Sequence, residues 1–215
     1  MAAVSTRSEF SGLLNVYLPI AAGVFLLIVL ALGFVVVRFR AGSGRRVSER
    51  HDAPRAEIAY VLLVAAIVAV LVVITFRGES RVDALAASPA LRVSVTGSDW
   101  RWRFDYPAQG ITELGRGQAP SDLFVPAGQT VEFDLSSLDV IHAFYIPDER
   151  FQRAAIPKIV NRFDLVFPKP GVVLGGSCNE FCGLGHTQMR FKVHVLSPGA
   201  FAAWVAERRR GGSAP

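Results

Sequence analysis

The chain is poor in the residues that form disulfides and bind soft metal ions. Its 215 residues include two cysteines, two methionines and four histidines. It contains no C-x-x-C-H motif, which excludes a covalently attached c-type haem, and no internal repeat or low-complexity tract. Charged residues make up 19% of the chain and hydrophobic residues 51%, and the mean hydropathy of +0.36 is high for a soluble protein. This balance indicates membrane segments.

Two long runs lack charge altogether. The run 17–37, YLPIAAGVFLLIVLALGFVVV, spans about 31 Å as a helix, enough for a hydrocarbon core of roughly 30 Å. The run 58–76, IAYVLLVAAIVAVLVVITF, reaches about 28 Å. A buried core helix is the alternative for each run, and a cleaved signal peptide is a further one for the first. However, a globular core does not need two such runs in succession, and RFRAGSGRR follows the first run as in a stop-transfer segment. We therefore predict a transmembrane helix hairpin within residues 1–82.

Arginines set the predicted orientation of this hairpin. The N-terminal tail carries Arg7 and the end of the second run carries Arg77 and Arg81, whereas the segment between the runs carries Arg38, Arg40, Arg45, Arg46, Arg50 and Arg55. The positive-inside rule then places the connecting loop in the cytoplasm and both termini outside the cell membrane. Much of the net charge of +5 comes from this loop, so topology explains it and no nucleic-acid partner is indicated.

Residues 83–215 are predicted to form one domain on the outer, periplasmic side. After a linker at 83–88 come short strand-like runs bounded by Gly and Pro, such as LRVSVTG, TVEFDL, VVLGGSC and MRFKVHVL. Successive strands without a helical pattern between them indicate a β-sandwich or barrel. The last segment, PGAFAAWVAERRR, has apolar residues at helical spacing, and we expect it to form a short helix that packs on the barrel.

Four of the scarce residues lie together in CNEFCGLGHTQM, positions 178–189. A disulfide between Cys178 and Cys182 is the ordinary expectation for an outer domain, but it leaves His186 and Met189 without a role. A metal site uses all four, because thiolate, imidazole and thioether select copper over calcium or magnesium, and structural zinc sites rarely use Met. One Cys, two His and a weak Met make a blue-copper site. The second cysteine suggests instead that two thiolates bridge two copper ions.

A further imidazole is expected from a neighbouring strand. His142, in DVIHAFYIP, interrupts an apolar strand directly after the acidic turn SSLD, and we take it as the candidate ligand. His51 lies in the predicted cytoplasmic loop. His194, in RFKVHV, has no partner motif and is predicted to be a strand-face residue.

With these residues assembled, the chain resembles subunit II of the haem–copper cytochrome c oxidases over nearly its whole length. The specific motif is Cys-x-Glu-x-Cys-x3-His-x2-Met, present here as Cys178, Glu180, Cys182, His186 and Met189, with DVIH upstream. The resemblance implies two transmembrane helices followed by an all-β, cupredoxin-like barrel or sandwich. That domain would carry a binuclear copper centre of the CuA type.

The resemblance also implies a role for each residue of the motif. Cys178 and Cys182 would bridge both copper ions. One copper would be completed by His142 and Met189, the other by His186 and the backbone carbonyl of Glu180. The side chain of Glu180 would face a magnesium ion at the interface with subunit I, and a carboxylate oxygen is a suitable ligand for that ion.

Two residues outside the motif receive roles from the same resemblance. Trp100 is the candidate for electron entry from the donor. It opens the series Trp100, Trp102, Phe104 and Tyr106 in VTGSDWRWRFDYP, whose alternate positions share one face of a strand and equally suit a core strip. Ser98 and Asp99 depart from the His and Gln that the family commonly has there. Glu57, at the predicted cytoplasmic start of the second helix, matches a glutamate at the mouth of a proton channel, although an acid at a helix N-terminus is favourable in any case.

The resemblance implies the electron-accepting subunit of a respiratory terminal oxidase, assembled with subunit I and other oxidase subunits. Electrons from cytochrome c or a similar donor would pass to haem, held only by the partner subunit, where oxygen is reduced to water. Two alternatives remain open: the CuA subunit of a nitric oxide reductase, and a membrane-anchored copper-delivery protein. Quinol oxidases are disfavoured because their equivalent subunits lack these copper ligands.

The charge of the outer domain bears on the donor. Residues 84–215 contain 14 Lys and Arg against 12 Asp and Glu. Four acids are candidates for a local acidic patch: Asp105, Asp139, Asp148 and Glu149. Four arginines lie close to them in sequence: Arg101, Arg103, Arg150 and Arg153. We therefore predict weak electrostatic steering, with a donor that is acidic, neutral or membrane-tethered.

Overall fold

The computed structural model describes residues 5–40, 52–98, 100–115 and 119–211. The described residues form two compact units: 11–79 is one, and the residues from 80 onward, with those before 11, form the other. The arginine-rich part of the predicted cytoplasmic loop, with Arg45, Arg46, Arg50 and His51, lies outside the described residues, as does Asp99.

The first unit consists of two long helices, α1 (Thr6–Arg38) and α2 (Pro54–Val82). The uncharged runs 17–37 and 58–76 lie inside these helices, which extend beyond the runs into polar residues. In each helix the most apolar window has a mean hydropathy of 3.1 and no buried residue. The Tyr17 hydroxyl on α1 donates to the Leu71 carbonyl on α2 at 3.2 Å and contacts the Thr75 hydroxyl. Both helices are long and apolar enough to cross a membrane.

The second unit is an all-β domain of two five-stranded sheets followed by a helix. One sheet has the order β3-β2-β1-β5-β8 and the other β4-β10-β9-β6-β7. The pairs β1–β5 and β4–β10 are parallel, and the other pairs are antiparallel. The elements are β1 (Leu91–Ser98), β2 (Arg101–Tyr106), β3 (Ile111–Leu114), β4 (Ser121–Pro126), β5 (Thr130–Ser137), β6 (His142–Ile146), β7 (Phe151–Ala155), β8 (Asn161–Val166), β9 (Val172–Cys178), β10 (Arg190–Leu196) and α3 (Pro198–Gly211).

Two strands, β3 and β7, are not among the strand-like runs of the sequence. β3 has only four residues, and β7, FQRAA, is poor in β-branched residues. Pairing with a neighbouring strand stabilises each of them: β3 pairs with β2, and β7 pairs with β6.

The core lies between the two sheets and is rich in aromatic rings. Trp102 and Phe104 on β2 are fully buried, and the rings of Phe144 on β6 and Phe191 on β10 stack with centroids 4.5 Å apart. Trp102 meets both of these phenylalanines edge to face. Alternation along the strands therefore places the aromatic side chains inside the sandwich.

One expectation about the aromatic series is wrong. Trp100 does not share the strand face of the buried residues Trp102, Phe104 and Tyr106. It precedes β2, has a left-handed backbone with φ of 63°, and is partly exposed. The turn between β1 and β2 removes it from the strip, which the alternating pattern alone cannot reveal.

Three neighbouring strands meet where the metal-binding motif lies. β6 begins at His142, β9 ends at Cys178, and β10 begins one residue after Met189. The loop between β9 and β10 contains a short 3₁₀ helix, His186–Gln188. The backbone N–H of Cys178 donates to the Met189 carbonyl at 2.8 Å, and that of Asn179 donates to the Ala143 carbonyl at 3.1 Å. The sheet thus fixes both ends of the loop beside His142.

Candidate metal centre

The two cysteines lie side by side as free thiols. Their Sγ atoms are 3.8 Å apart, whereas a disulfide needs about 2.05 Å. Cys178 is the last residue of β9, and Cys182 follows in the loop, where the left-handed conformation of Gly183 turns the chain.

Two histidines approach this pair of sulfurs from opposite directions in the chain. The His142 Nδ1 atom lies 3.8 Å from Cys178 Sγ, and the His186 Nδ1 atom lies 3.6 Å from Cys182 Sγ. The possible ligand atoms of His142, Cys178 and Cys182 all fall within 4.8 Å of one another. The structure therefore brings the distant histidine of the sequence prediction to the motif.

Two weaker donors complete the cluster. Met189 is fully buried, and its Sδ atom lies 4.0 Å from Cys182 Sγ. The backbone carbonyl oxygen of Glu180 lies 3.2 Å from Cys178 Sγ. Thioether and thiolate sulfur favour copper, and imidazole also suits it. The donor set exceeds what one tetrahedral zinc ion takes, and its residue types are consistent with copper.

Asp139 fixes the orientation of His142. The His142 Nε2 atom lies 2.7 Å from Asp139 Oδ1, which also accepts the Val140 N–H at 2.7 Å and the Ser137 hydroxyl at 3.1 Å. With its proton on Nε2, the imidazole presents the Nδ1 lone pair to the sulfurs. The sequence prediction considered Asp139 only as a surface acid, although its place three residues before the histidine was the available signal.

Burial and hydrogen bonding shift the titration of these groups in different directions. Burial opposes the charge of His142, but its hydrogen bonds with Cys178 and Asp139 outweigh this effect and raise its pKa. Burial likewise opposes ionisation of Cys178, but hydrogen bonds from His142, the backbone and Cys182 lower its pKa. Burial and the neighbouring Cys178 thiolate raise the pKa of Cys182. One thiolate is thus favoured before any metal binds.

Trp100 covers the loop that carries the second cysteine. Its indole Nε1–H donates to the Cys182 carbonyl at 3.1 Å. A Cβ atom at Gly185 would lie 2.4 Å from the indole Cγ, and one at Gly183 would lie 3.2 Å from Nε1. The two glycines therefore allow the ring to lie against the backbone of the loop.

A comparison of families identifies the domain that carries this cluster. Residues 91–196 match the family model described as cytochrome C oxidase subunit II, periplasmic domain. The β domain of this chain belongs to the cytochrome c oxidase subunit II family.

Relatives and solved structures agree with this assignment. The chain is 29% identical over 187 residues to cytochrome c oxidase subunit 2 of Alkalihalophilus pseudofirmus, covering 83% of this chain and 53% of that protein. It is 32% identical over 180 residues to the probable cytochrome c oxidase subunit 2 of Streptomyces coelicolor, covering 66% of this chain and 56% of that protein. The chain thus spans about half the length of these two curated relatives.

The crystal structure of the periplasmic domain of subunit II of cytochrome oxidase from Bradyrhizobium japonicum matches with a TM-score of 0.53 and 26% identity. The match covers 59% of this chain and 99% of that domain. The predicted fold class, two apolar helices followed by an all-β cupredoxin-like domain, is confirmed.

Some residues singled out in the sequence lie away from this candidate metal centre. Glu57 is in the first turn of α2, where its carboxylate accepts the Ala53 N–H at 3.3 Å. His194 lies on the face of β10 that points away from the core, 2.7 Å from Asp122 and stacked on Phe124. It is the strand-face residue that the sequence predicted.

Of the four acids considered for a docking patch, three are paired or buried, whereas Asp148 is exposed. Asp105 is paired with Arg103, and Asp139 with His142. Glu149 is buried, and its pKa is raised by burial, an effect that Arg7 partly offsets.

Proposed function

We propose that this chain is the electron-accepting subunit of a respiratory haem–copper oxidase. The observation that carries the proposal is the arrangement of two free thiols 3.8 Å apart with two imidazole nitrogens, a thioether and a backbone carbonyl around them. The membership of the β domain in the subunit II family supports the same conclusion.

The residues that would hold copper are Cys178, Cys182, His142, Met189, His186 and the Glu180 carbonyl. A copper pair held there would supply one-electron chemistry, with the charge shared by two ions.

The chain itself prepares this site. Burial of His142 and Met189 excludes water, and the strand contacts of Cys178 and Asn179 hold the loop in position. Asp139 keeps a proton on the outer nitrogen of His142. Because the donors are held in place by the fold, a redox change there requires little movement of protein.

Trp100 is the proposed point of electron entry. It is partly exposed on one side and contacts the Cys182 carbonyl on the other, so it joins the surface of the domain to a bridging ligand. The donor is cytochrome c or a similar carrier. Electrons leave for haem in subunit I, where oxygen is reduced to water.

The remaining assignments concern the membrane and the partner subunits. α1 and α2 would anchor the chain in the cell membrane, with their connecting loop in the cytoplasm and the domain from about residue 83 on the periplasmic side. The exposed side chain of Glu180 would bind magnesium at the interface with subunit I. Glu57 would lie at the entrance of a proton channel.

Metal analysis of the full chain, purified in detergent, tests the copper assignment. We expect two copper ions per chain and a purple protein with the absorption of a delocalised mixed-valence pair. One copper in a blue site, or one zinc, contradicts the proposal. A colourless protein loaded with Cu(I) supports copper delivery instead.

Purification of the native complex tests the partner assignment. We expect an oxidase subunit I with its haems to co-purify and oxygen to be consumed. A complex that reduces nitric oxide but not oxygen contradicts the oxidase function while leaving the copper centre intact.

A further inference from the structure

One carboxylate of the unit that contains the β domain is buried without a hydrogen-bond partner. Glu149 ends the short 3₁₀ helix Pro147–Glu149 and is 7% exposed. In the part of the chain that the structure describes, its carboxylate forms no hydrogen bond and no ion pair. Burial of an ionisable group in this state is unfavourable, and a bound molecule that donates a hydrogen bond would offset the cost.

Glu149 lies in the wall of a cavity of about 280 Å³. We call it the Glu149 cavity. The residues that line it all belong to the compact unit formed by the β domain and the residues before 11. They include two acids, two cations and several apolar side chains, among them Arg7, Asp148, Glu149, Phe167, Lys169 and Leu174.

The first turn of α1 is fixed to the turn that carries Glu149. The buried Thr6 hydroxyl donates to the Glu149 backbone carbonyl at 2.7 Å. The Arg7 Nη1 atom donates to the Asp148 backbone carbonyl at 3.0 Å. These two hydrogen bonds place Arg7 in the same cavity wall as the buried carboxylate.

The charges of the Glu149 cavity favour a molecule that carries both signs. Asp148 and Glu149 disfavour a simple anion, whereas Arg7 and Lys169 disfavour a simple metal cation. Lys169 is exposed and forms no ion pair with any carboxylate among the described residues. A primary amine suits Glu149, because an ammonium group has N–H donors and a quaternary ammonium has none.

The sequence of α1 relates Arg7 to the membrane surface. The uncharged stretch of this helix runs from Phe10 to Val37. Its 28 residues span about 42 Å as a helix, close to the thickness of a bilayer with its headgroup regions. A cationic side chain just beyond such a stretch lies among lipid headgroups. Apolar wall residues such as Phe167 then suit the glycerol and first methylenes of a lipid.

We propose that the Glu149 cavity binds the headgroup of an aminophospholipid, with the primary amine at Glu149 and the phosphate at Arg7 and Lys169. The proposal rests on the membrane placement proposed above and does not involve the copper centre. Phosphatidylethanolamine is the simplest lipid of this class. Its headgroup would connect the first turn of α1, through Arg7, to the segment between β8 and β9, through Lys169.

Lipid titration of the full chain tests this site. The chain is purified in detergent, delipidated and titrated with phosphatidylethanolamine, phosphatidylcholine or phosphatidylglycerol of identical acyl chains. Native mass spectrometry measures the bound lipid. Phosphatidylethanolamine should bind roughly tenfold more tightly than phosphatidylcholine, the effect of about one charge-assisted hydrogen bond. Phosphatidylglycerol, which has no amine, should bind no more tightly than phosphatidylcholine.

Matched variants separate the amine contact from the phosphate contact. Glu149→Gln should abolish the preference for phosphatidylethanolamine over phosphatidylcholine, whereas Glu207→Gln, at an exposed position of α3, should retain it. Lys169→Gln should weaken the binding of both lipids, whereas Lys192→Gln, at an exposed position of β10, should leave both affinities unchanged. Copper content, measured on the same samples, should be equal in all four variants.

Three results would overturn the lipid proposal. The first is equal affinity of the wild-type chain for phosphatidylethanolamine and phosphatidylcholine, which requires no variant. The second is an unchanged preference in a Glu149→Gln chain that unfolds as the wild type does. The third is binding of soluble O-phosphoethanolamine without binding of the lipid, which would assign the cavity to a soluble zwitterion. A chain that shows the lipid preference but binds no copper would overturn the proposed function alone.

Discussion

Two histidine–aspartate pairs have the same N–O distance but lie in different surroundings. His142 Nε2 lies 2.7 Å from Asp139 Oδ1, and His194 Nε2 lies 2.7 Å from Asp122 Oδ1. The first pair stands behind the sulfur cluster, whereas the second lies on the outer face of β10 beside Phe124. The same contact can therefore serve a metal site or only the surface of a sheet.

Asp139→Asn tests the first pair. The substitution removes the charge that holds the Nε2 proton of His142, and we expect copper affinity to fall by roughly 10-fold, as is typical when a partner of a metal ligand is lost. Competition for copper with a chelator measures the change. Asp122→Asn is the matched control and should leave copper affinity unchanged; an equal loss in both variants would show a general effect on the fold.

The sulfur ligands should differ in how much each contributes to the copper centre. Cys178→Ser or Cys182→Ser removes a bridging thiolate and should abolish the mixed-valence absorption. Met189→Leu removes a weak ligand while keeping a similar volume in the core, so it should leave a perturbed centre and cost less than about 1.5 kcal/mol of stability. Absorption spectra and copper content of the three variants provide the measurement. Full retention of the spectrum in both cysteine variants would reject the bridge.

At the level of elements, β9 packs closely against β10 two residues before Cys178. Gly176 and Phe191 are register partners, and a Cβ atom at Gly176 would lie 2.1 Å from Phe191 Cζ. The Phe191 ring, stacked on Phe144, occupies the space that any other side chain would need. The neighbouring Gly175 has nothing within 4 Å of its would-be Cβ.

These two glycines provide a paired test of strand packing. Gly176→Ala forces Phe191 out of its stack and should destabilise the domain by about 1–3 kcal/mol. Gly175→Ala meets no neighbour and should leave stability within about 0.5 kcal/mol of wild type. Urea unfolding of both variants measures the difference. Equal stabilities would mean that the Phe191 ring moves aside without loss.

At the scale of the whole domain, buried carboxyls make stability depend on pH. Burial raises the pKa values of Glu113, Glu149 and Asp164. Arg208 pairs with Glu113 and offsets part of the effect on that group. A carboxyl whose pKa is higher in the folded state binds its proton more tightly there. Its contribution to stability is therefore present below its ordinary pKa and is lost as the pH rises through the folded value.

Glu113→Gln removes one of these titrations. Relative to this variant, the wild-type chain should lose stability as the pH rises above about 4, near the ordinary pKa of glutamate. Urea unfolding at several pH values measures the difference between the two curves. Glu207 is an exposed residue of α3 that lines one surface cleft together with Glu113. Glu207→Gln is therefore the control and should follow the wild-type curve. A pH-independent gap between wild type and Glu113→Gln would contradict the assignment.

Local patterns in the sequence were sufficient for several features of this protein. The two uncharged runs identify α1 and α2, because a helix that is apolar on every side is readable from composition alone. The spacing of Cys178, Cys182, His186 and Met189 identifies the metal loop, because these ligands lie close together in the chain. The aromatic residues of β2 indicate a buried strand, because they occupy alternate positions and side chains of a strand repeat with a period of two.

Other features depend on contacts between distant parts of the chain. Only the pairing of β6 with β9 brings His142 to Cys178, across 36 positions of sequence. The backbone turn that detaches Trp100 from the aromatic strip, and the packing that buries Glu149, likewise have no local signature. The sequence by itself thus determined which ligands are available, whereas the tertiary structure decided their orientation and the surface around them, because burial and long-range pairing are properties of the assembled sheets.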